Sequence, residues 1–214
     1  MSMTGDSVNV PHRNHGLFSD HYLNERLPKH PAWAASADGA EPVLARVRQI
    51  LAAYKPSSNE AQTEQGLIKP VLEALGHAYE VQATLAVPGG QAVKPDYVFF
   101  REAEARDSLK GQVLREGEIA GGRAVGDAKY WDRPLDQAIR GGGDPFTNRN
   151  PGYQIAFYLR HTGLAWGILT NGRLWRLYHR DSAHRLDCYY EVDLEALATR
   201  DGPAAFAYFS HFFG

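Results

Sequence analysis

Two short apolar, β-prone runs that each carry an aspartate constrain this chain more than any other feature of its sequence. Residues 94–100 open with a Lys-Pro-Asp triplet that ends in Asp96, and residues 124–131 contain Asp127 and Lys129. Because successive side chains of a strand point to opposite faces, Asp127 and Lys129 emerge on the same face. Asp96 begins the neighbouring strand and brings a second carboxylate to the same place. The sequence therefore predicts two adjoining strands whose acidic side chains meet.

An oxygen-rich site of this kind suits a divalent cation. Hard cations such as Mg²⁺ prefer oxygen ligands and keep several waters, so the carboxylates of Asp96 and Asp127 and the backbone carbonyl of Ala128 are enough protein ligands. A bound cation lowers the pKa of a water molecule and polarises a phosphoryl oxygen, while Lys129 orients that water or neutralises developing charge. No serine or cysteine nucleophile is needed, so the pattern predicts a metal-dependent nuclease core.

The same residues resemble a known motif. Pro95-Asp96, followed after an insert by Asp127-Ala128-Lys129, resembles the PD-(D/E)XK signature of many restriction enzymes and recombination nucleases. The resemblance implies an α/β fold with a restriction-endonuclease-like core, in which a central mixed β-sheet is flanked by helices. It also implies Mg²⁺ as the cofactor, with Mn²⁺ as a substitute. Asp127 stands where many relatives have glutamate, which shortens the reach of the carboxylate by one methylene.

A helix upstream supplies a further acid. Residues 57–76 resemble the opening helix of the nuclease domains of type I and type IIG restriction enzymes, and Glu60 stands where that family carries an acidic residue that joins the metal site. On a 3.6-residue period, one face collects two acids and three apolar residues: Glu60, Glu64, Ile68, Val71 and Leu75. The alternative is structural, because Ser57-x-x-Glu60 fits a capping box and Glu64, the weaker candidate ligand, can be solvated at the edge of the stripe.

A helix downstream carries the last predicted site residues. Residues 150–158 indicate a helix with Asn150 as its cap and a proline at its first position. Gln154 and Tyr158 are four residues apart and share a face. They match the Q-x-x-x-Y pattern of RecB-like nucleases, and this resemblance implies that the pair lies beside the metal site and positions DNA. The alternative is an ordinary amphipathic helix with Tyr158 half buried.

Length and composition indicate one globular domain with appendages. The single cysteine, Cys188, excludes an internal disulfide and fits a reducing cytoplasm, where we expect it to act as a small core hydrophobe. No apolar run reaches the length of a membrane helix, so we expect a soluble cytoplasmic protein that does not bind membranes.

The net charge of −2 hides an uneven distribution. Residues 123–180 hold nine Lys/Arg and four Asp/Glu, a net charge of +5, so the remainder of the chain carries −7. Positive charge is therefore concentrated in the segment that holds Asp127 and Lys129, which phosphates would have to approach. This bias supports DNA as the partner but contributes no sequence specificity.

The N-terminal arm, residues 1–40, precedes the predicted nuclease domain at residues 41–195. It contains a short helix between Phe18 and Pro28, where the proline ends it. We expect the apolar residues of the arm to pack onto the core: Phe18, Leu23 and Trp33. Four histidines of the arm match no zinc spacing, and we expect them to be solvated: His12, His15, His21 and His30.

Local patterns place the remaining elements. We expect a helix over residues 42–54, a strand over residues 79–87 that turns at residues 88–90, and an exposed helix over residues 103–118. Residues 141–145 form a glycine-rich loop. Asn171-Gly172 suits the positive φ angles of a tight turn and predicts a β-hairpin that completes the sheet.

The C-terminal segment, residues 196–214, is predicted as a helical tail. Phe206, Phe209 and Phe213 recur at helical spacing, and an apolar stripe near the end of a chain usually needs a partner. The resemblance to type IIG enzymes implies that this tail leads into methyltransferase and specificity domains or subunits. It implies S-adenosylmethionine as a cofactor only if a methyltransferase domain follows, and a homodimer for double-strand cleavage.

Three functions are open at this point. The first is a DNA endonuclease of the restriction or phage-defence type. The second is a RecB-like exonuclease or junction-processing nuclease, which acts on ends or branched DNA. The third is a catalytically silent nuclease-like domain that only binds DNA or a protein.

Overall fold

A seven-stranded mixed sheet forms the centre of the protein. The computed structural model describes residues 12–90, 92–137, 150–200 and 202–214. The strands are β1 (His12–Asn14), β2 (Ala78–Val81), β3 (Tyr97–Phe100), β4 (Gly122–Ala128), β5 (Trp166–Thr170), β6 (Leu174–His179) and β7 (Tyr190–Asp193). Their order across the sheet is β1-β7-β6-β5-β4-β3-β2. Strands β4 and β5 are parallel, and all other neighbours are antiparallel. The predicted α/β class with a central mixed sheet is confirmed.

Helices cover both faces of this sheet. They are α1 (Pro31–Asp38), α2 (Ala40–Ala53), α3 (Glu60–Thr63), α4 (Lys69–Ala74), α5 (Ala103–Leu109), α6 (Pro151–Thr162), α7 (Leu194–Arg200) and α8 (Pro203–Phe213). Two π-helical turns, Tyr22–Arg26 and Glu64–Ile68, and one 3₁₀ turn, Leu27–Lys29, complete the helical structure of the described residues. No helix in these ranges is both long and apolar enough to cross a membrane.

The two faces of the sheet bury separate apolar clusters. The side chain of Phe99 enters the cluster formed with α2, α4, α7 and α8. Its neighbours Val98 and Phe100 point the other way, into the cluster formed with α6. This alternation follows from the two-residue period of a strand. The helix that begins at Glu60 and the helix that carries Gln154 both flank the sheet, as predicted, and the structure places them on opposite faces.

A π-helical turn interrupts the helix that begins at Glu60. At the end of this turn the Lys69 N–H donates to the carbonyl of Glu64, five residues earlier. Pro70 follows directly and has no N–H to donate to the preceding turn. The wider turn changes the angular spacing of the side chains, so the predicted regular 3.6-residue face is wrong between Glu64 and Ile68.

The C-terminal phenylalanines pack inside this chain. Phe206, Phe209 and Phe213 are at most 1 % exposed. The rings of Phe209 and Phe213 meet the ring of Trp175 edge-on, at centroid distances of 5.3 and 6.0 Å, and α8 also contacts α1 and α2. The expectation that this stripe needs an outside partner is therefore wrong, because the sheet and the N-terminal helices already cover it.

The N-terminal arm joins the sheet as well as covering it. Strand β1 pairs with β7, and Leu23 is buried in the core with Phe18 and Trp33 packed against it, which confirms the predicted packing. The expectation of a solvated His12 is wrong, because its ring stacks on Tyr208 at 4.4 Å and burial lowers its pKa.

Other boundaries differ from the predictions for local reasons. The short helix does not end at a proline, because Pro28 lies inside the 3₁₀ turn. Strand β2 ends at Val81, since Gln82 adopts a positive φ of 48°. Helix α5 is shorter than predicted, and Gly111 follows it with a φ of 74°.

Two further predictions are confirmed, and one lies outside the described residues. Cys188 is buried. The Asn171-Gly172 turn joins β5 to β6, with Gly172 at a φ of 85°. The predicted glycine-rich loop, residues 141–145, lies outside the described residues.

Substitution of Phe209 by alanine tests the role of α8 in the core. Phe209→Ala removes a fully buried ring that contacts Trp175, so we expect the free energy of unfolding to fall by about 3–5 kcal/mol. Urea denaturation followed by circular dichroism measures this change. Tyr153→Ala, at a 38 % exposed aromatic residue, is the matched control and should cost clearly less. A loss of unfolding free energy for Phe209→Ala no larger than that for Tyr153→Ala would contradict the burial of Phe209 in the core.

Candidate functional site

The pairing of β3 with β4 brings the two predicted aspartates together. Tyr97 lies opposite Gly126 in this antiparallel pair. One further step in the same register places Asp96 opposite Asp127. The Ala128 N–H donates a hydrogen bond of 2.7 Å to Asp96 Oδ2, which fixes the aspartate carboxylate against the end of β4. The predicted meeting of the two acids at one edge is therefore present in the fold.

Lys129 completes the cluster on the same strand. Its Nζ lies 2.7 Å from Asp127 Oδ2, and the two side chains are 15 % and 5 % exposed. The Lys129 N–H donates to the Thr170 carbonyl at 2.8 Å, so the pairing with β5 continues beyond the end of β4. In the described part of the chain, Asp127 Oδ2 has the ammonium as its ion-pair partner and no further hydrogen-bond donor.

The carbonyl of Ala128 faces the same side as the carboxylates. Within a strand, the N–H and C=O of one residue point toward the same neighbouring strand. Since the Ala128 N–H points to Asp96, the Ala128 carbonyl is directed to the Asp96 side of β4. The alternation of the strand also keeps the methyl group of Ala128 in the opposite core cluster. All three predicted oxygen donors therefore lie at one edge of the sheet.

Glu60 reaches this cluster from the start of α3. Its side chain is exposed at the helix end, yet the surrounding protein partly desolvates the carboxyl and raises its pKa. The positive charge of Lys129 opposes this rise, and the negative charge of Asp127 adds to it. Glu60 is thus within electrostatic range of both Asp127 and Lys129.

Asn59, and not Ser57, caps this helix. The Gln62 N–H donates to Asn59 Oδ1 at 3.1 Å, while the Ser57 hydroxyl bonds the side chain of Gln62. The alternative explanation of Glu60 as part of a Ser57 capping box is therefore wrong. Its carboxylate is not needed to hold the helix end.

Two neighbours engage the carboxylate of Glu64. The Tyr97 hydroxyl donates to Glu64 Oε2 at 2.6 Å, and Lys69 Nζ lies 3.9 Å from the same oxygen. The expectation that Glu64 can be solvated is wrong, because its side chain is 17 % exposed. Its negative charge raises the pKa of Asp96 and of Glu60, so Glu64 is an electrostatic neighbour of the cluster.

Burial and neighbouring charge raise the pKa of Asp96. Burial, followed by the negative charge of Asp127, raises the pKa of Asp96 to about 8, although Lys129 and the Ala128 N–H oppose the rise. Burial alone would lower the pKa of Lys129, but the charges of Asp127, Glu60 and Asp96 outweigh it and raise the pKa. The ammonium therefore stays charged, and the cluster favours an additional cation.

Gln154 and Tyr158 lie on the buried face of α6, as their spacing predicts. The Asn150 side chain accepts from the Gly152 N–H at 2.9 Å, which confirms the predicted cap. The Tyr158 hydroxyl donates to the carbonyl of Lys94 at 3.4 Å, two residues before the first aspartate. Tyr158 is therefore tied to the segment that positions the site. It is 4 % exposed, more buried than predicted, and this burial is equally consistent with the alternative of an ordinary amphipathic helix.

Arg133 is a site neighbour that the sequence analysis missed. Its side chain is buried and donates to the carbonyls of Pro134 and Gln137 at 2.6 and 2.8 Å. The guanidinium lies close enough to Glu60 to lower the pKa of that carboxyl. Its position between an aspartate and a proline gives a turn signal but no signal of burial, so the sequence alone did not identify it.

Part of the positive charge predicted for this region is neutralised inside the protein. Arg176 pairs with Glu191 at 2.7 Å, with both side chains 6 % exposed, and Arg173 contacts Asp132 and Asp193. These arginines stabilise the sheet and its turns, so they are not free to meet phosphates. The positive charge that residues 123–180 leave available to bind phosphates is therefore smaller than their net charge of +5.

The donor set fits a hard divalent cation. Within the described residues no group of three or more His, Cys, Asp or Glu side chains is arranged to hold a metal. The cluster instead offers the carboxylates of Asp96 and Asp127 and the Ala128 carbonyl. Oδ2 of Asp127 is buried and has the Lys129 ammonium as its ion partner. Mg²⁺ keeps several waters and binds through one or two carboxylates, so this oxygen-only set suits it.

Comparisons with protein-family models, curated proteins and solved structures found no match for this chain.

The raised pKa of Asp96 predicts a pH-dependent stability. The folded protein holds this proton up to about pH 8, whereas the unfolded chain releases it near pH 4, so stability falls as the pH rises between these values. Asp96→Asn keeps an oxygen for the Ala128 N–H and removes the charge. We expect metal-free Asp96→Asn to gain on the order of 1–3 kcal/mol over wild type at pH 8, and less at pH 5.

Urea denaturation in a chelating buffer at both pH values measures this effect. Asp187→Asn, at an exposed aspartate, is the matched control and should change stability little at either pH. A gain for Asp96→Asn that does not grow with pH would contradict the assignment of the raised pKa to Asp96.

Proposed function

We propose that this protein is a metal-dependent DNA endonuclease that hydrolyses phosphodiester bonds, of the restriction or phage-defence type. The observation that carries the proposal is the arrangement of Asp96, Asp127 and Lys129 at one edge of the sheet. Two carboxylates on paired strands, with an ammonium 2.7 Å from one of them, suit hydrolysis of a phosphodiester by an activated water. The restriction or phage-defence setting rests on the resemblance of the motifs.

Asp96, Asp127 and the Ala128 carbonyl would hold the cation. When bound, Mg²⁺ supplies a water of lowered pKa and a positive charge beside the phosphoryl oxygen. Binding at this position requires both carboxylates to be ionised. The proton affinity of Asp96 therefore makes cation binding stronger as the pH rises toward 8.

We assign Lys129 and Glu60 to the attacking water, Lys129 as a hydrogen-bond donor and Glu60 as an acceptor. The ammonium stays protonated beside Asp127, so Lys129 acts as a fixed positive charge and hydrogen-bond donor, and not as a base. It orients the attacking water and stabilises charge that develops on the phosphoryl group. Glu60 is exposed, so its carboxylate would accept a hydrogen bond from a water molecule or would bind the cation through a water.

Helix α6 lies beside the strands that carry these groups. Tyr158 ties it to the carbonyl of Lys94, and Gln154 lies on the same face one turn earlier. We assign this pair to positioning: Tyr158 fixes the segment that leads into Asp96. Gln154 is 7 % exposed, so we assign it to holding α6 against the strands and not to contact with the phosphodiester.

Cleavage of supercoiled plasmid at low salt with Mg²⁺ or Mn²⁺ tests the proposal. We expect nicking by the wild type that a chelator abolishes. Asp127→Asn and Lys129→Met should each reduce the rate by a factor of about 10²–10³, the usual cost of removing a group that stabilises the transition state. Asp187→Asn and Lys110→Met replace exposed residues of the same types and should cleave like wild type.

Two results separate this proposal from its alternatives. Cleavage of linear or branched DNA without nicking of closed circles would favour an exonuclease or junction-processing nuclease. DNA binding without any metal-dependent cleavage, together with Mn²⁺ binding unchanged by Asp96→Asn and Asp127→Asn, would exclude this cluster as a nuclease site and leave a binding domain.

A further inference from the structure

The hydroxyl of Thr63 joins three segments of the chain beneath the site. Thr63 is fully buried at the end of α3. Its Oγ1 lies 3.1 Å from the Tyr54 hydroxyl, 3.0 Å from the carbonyl of Asn59 and 3.2 Å from the amide nitrogen of Trp131. The carbonyl of Ser57 lies at 3.2 Å. One side chain therefore connects the end of α2, the start of α3 and the residues that follow β4.

The Thr63 hydroxyl both donates and accepts. A threonine hydroxyl has one proton and two lone pairs. Its proton is within reach of the Ser57 and Asn59 carbonyls, and the Asn59 carbonyl also accepts from the Thr63 N–H at 3.0 Å. Between the Thr63 and Tyr54 hydroxyls either can be the donor, and the Tyr54 hydroxyl accepts from the Ser57 N–H at 3.2 Å. The bond with Trp131 has one possible direction, because an amide N–H can only donate to the Thr63 oxygen.

These contacts lie close in sequence to two groups of the proposed site. Thr63 is three residues after Glu60 on the same helix, and Trp131 is two residues after Lys129. The methyl group of Thr63 also faces the hairpin turn, because a Cβ built on Gly172 would lie 3.3 Å from Thr63 Cγ2. The hairpin carries the Thr170 carbonyl that holds the Lys129 amide.

We infer that Thr63 is a positioning residue that sets the distance between Glu60 and the cluster of Asp127 and Lys129. This inference rests on the proposed function. Thr63 is buried and touches neither substrate nor cation, so it acts through the two chain segments that it joins. Its methyl group adds packing, but the hydroxyl makes the connection between α3 and the chain after β4.

A pair of substitutions separates the hydroxyl from the methyl group. Thr63→Val keeps the shape and loses both acceptor lone pairs, whereas Thr63→Ser keeps the hydroxyl. Thr162→Val is the matched control, because Thr162 is also buried at a helix end and its Oγ1 accepts from a loop amide, that of Leu164 at 3.3 Å. Thr162 lies at the far end of α6 from its Asn150 cap.

Three readouts are measured on each variant. The first is hydrogen exchange of the Trp131 amide in metal-free protein. The second is the dissociation constant for Mn²⁺. The third is plasmid nicking, with kcat and KM determined separately. We expect Thr63→Val to speed Trp131 exchange at least about tenfold. It should weaken Mn²⁺ binding or lower kcat by about 10- to 100-fold, the usual cost of removing support for a metal site, with KM little changed.

The other variants should give the opposite pattern. Thr63→Ser should stay within about threefold of wild type in every readout, because the hydroxyl is what connects the segments. Thr162→Val should speed exchange at Leu164 and leave Trp131, Mn²⁺ binding and kcat unchanged. If Thr63→Val does not fold, Tyr54→Phe removes the hydroxyl that bonds Thr63 and should produce a smaller loss of the same kind.

Three outcomes would overturn the inference. They are unchanged Trp131 exchange in Thr63→Val, faster exchange with wild-type Mn²⁺ affinity and kcat, and failure of Thr63→Ser to restore function. Absence of cleavage by the wild type would count against the proposed function alone. Trp131 exchange and Mn²⁺ affinity would then decide the role of Thr63 without reference to catalysis.

Discussion

The proposed site depends on an arrangement that costs stability, in which two carboxylates share the end of a strand pair. Asp96 and Asp127 face each other where β3 meets β4, in a setting buried enough to raise the pKa of Asp96 to about 8. Such like charges disfavour ionisation of both groups unless a cation lies beside them. The protein supplies one such cation, the ammonium of Lys129. The oxygen ligands at this strand end, with a negative charge in excess of the ammonium once Asp96 is ionised, are the physical basis for expecting a metal ion there.

The rest of the sheet holds this edge in place. The parallel partner β5 fixes the Lys129 amide through Thr170, and the Asn171-Gly172 turn returns the chain as β6. Gly172 has a φ of 85°, and a Cβ at this position would lie 2.7 Å from Leu67. Only glycine therefore allows the hairpin turn to approach the helix that follows Glu60 so closely. This contact joins the β5–β6 hairpin to the helix that begins at Glu60.

The predictions that the structure confirms concern interactions between residues close together in the sequence. Asn150 and the following proline define the start of α6 because a cap acts on amides two or three residues away. Asn171-Gly172 defines its turn through its own φ angles. The class of fold and the strand positions of Asp96 and Asp127 follow from short apolar runs in the same way. The cap of α3 shows the limit, since the capping-box pattern pointed to Ser57 and the structure uses Asn59.

The predictions that failed depend on residues far apart in the chain. The phenylalanines of α8 looked unpartnered because Trp175 and the N-terminal helices, which cover them, are distant in sequence. His12 looked solvated because Tyr208, on which it stacks, lies near the other end of the chain. The side chain of Glu64 does not keep the angular position predicted for a regular helix, because a π-helical turn precedes Pro70. The Tyr97 hydroxyl, distant in sequence, donates to its carboxylate.

The sequence by itself determined which chemical groups are available and roughly where each strand and helix begins. It placed Asp127 and Lys129 on one face, since the alternation of a strand is a local property. Only the tertiary structure decided that Asp96 lies opposite Asp127, that Glu60 reaches their edge, and that Thr63 joins the segments behind them. Those relations depend on strand register and on packing between segments distant in sequence, which no local pattern encodes.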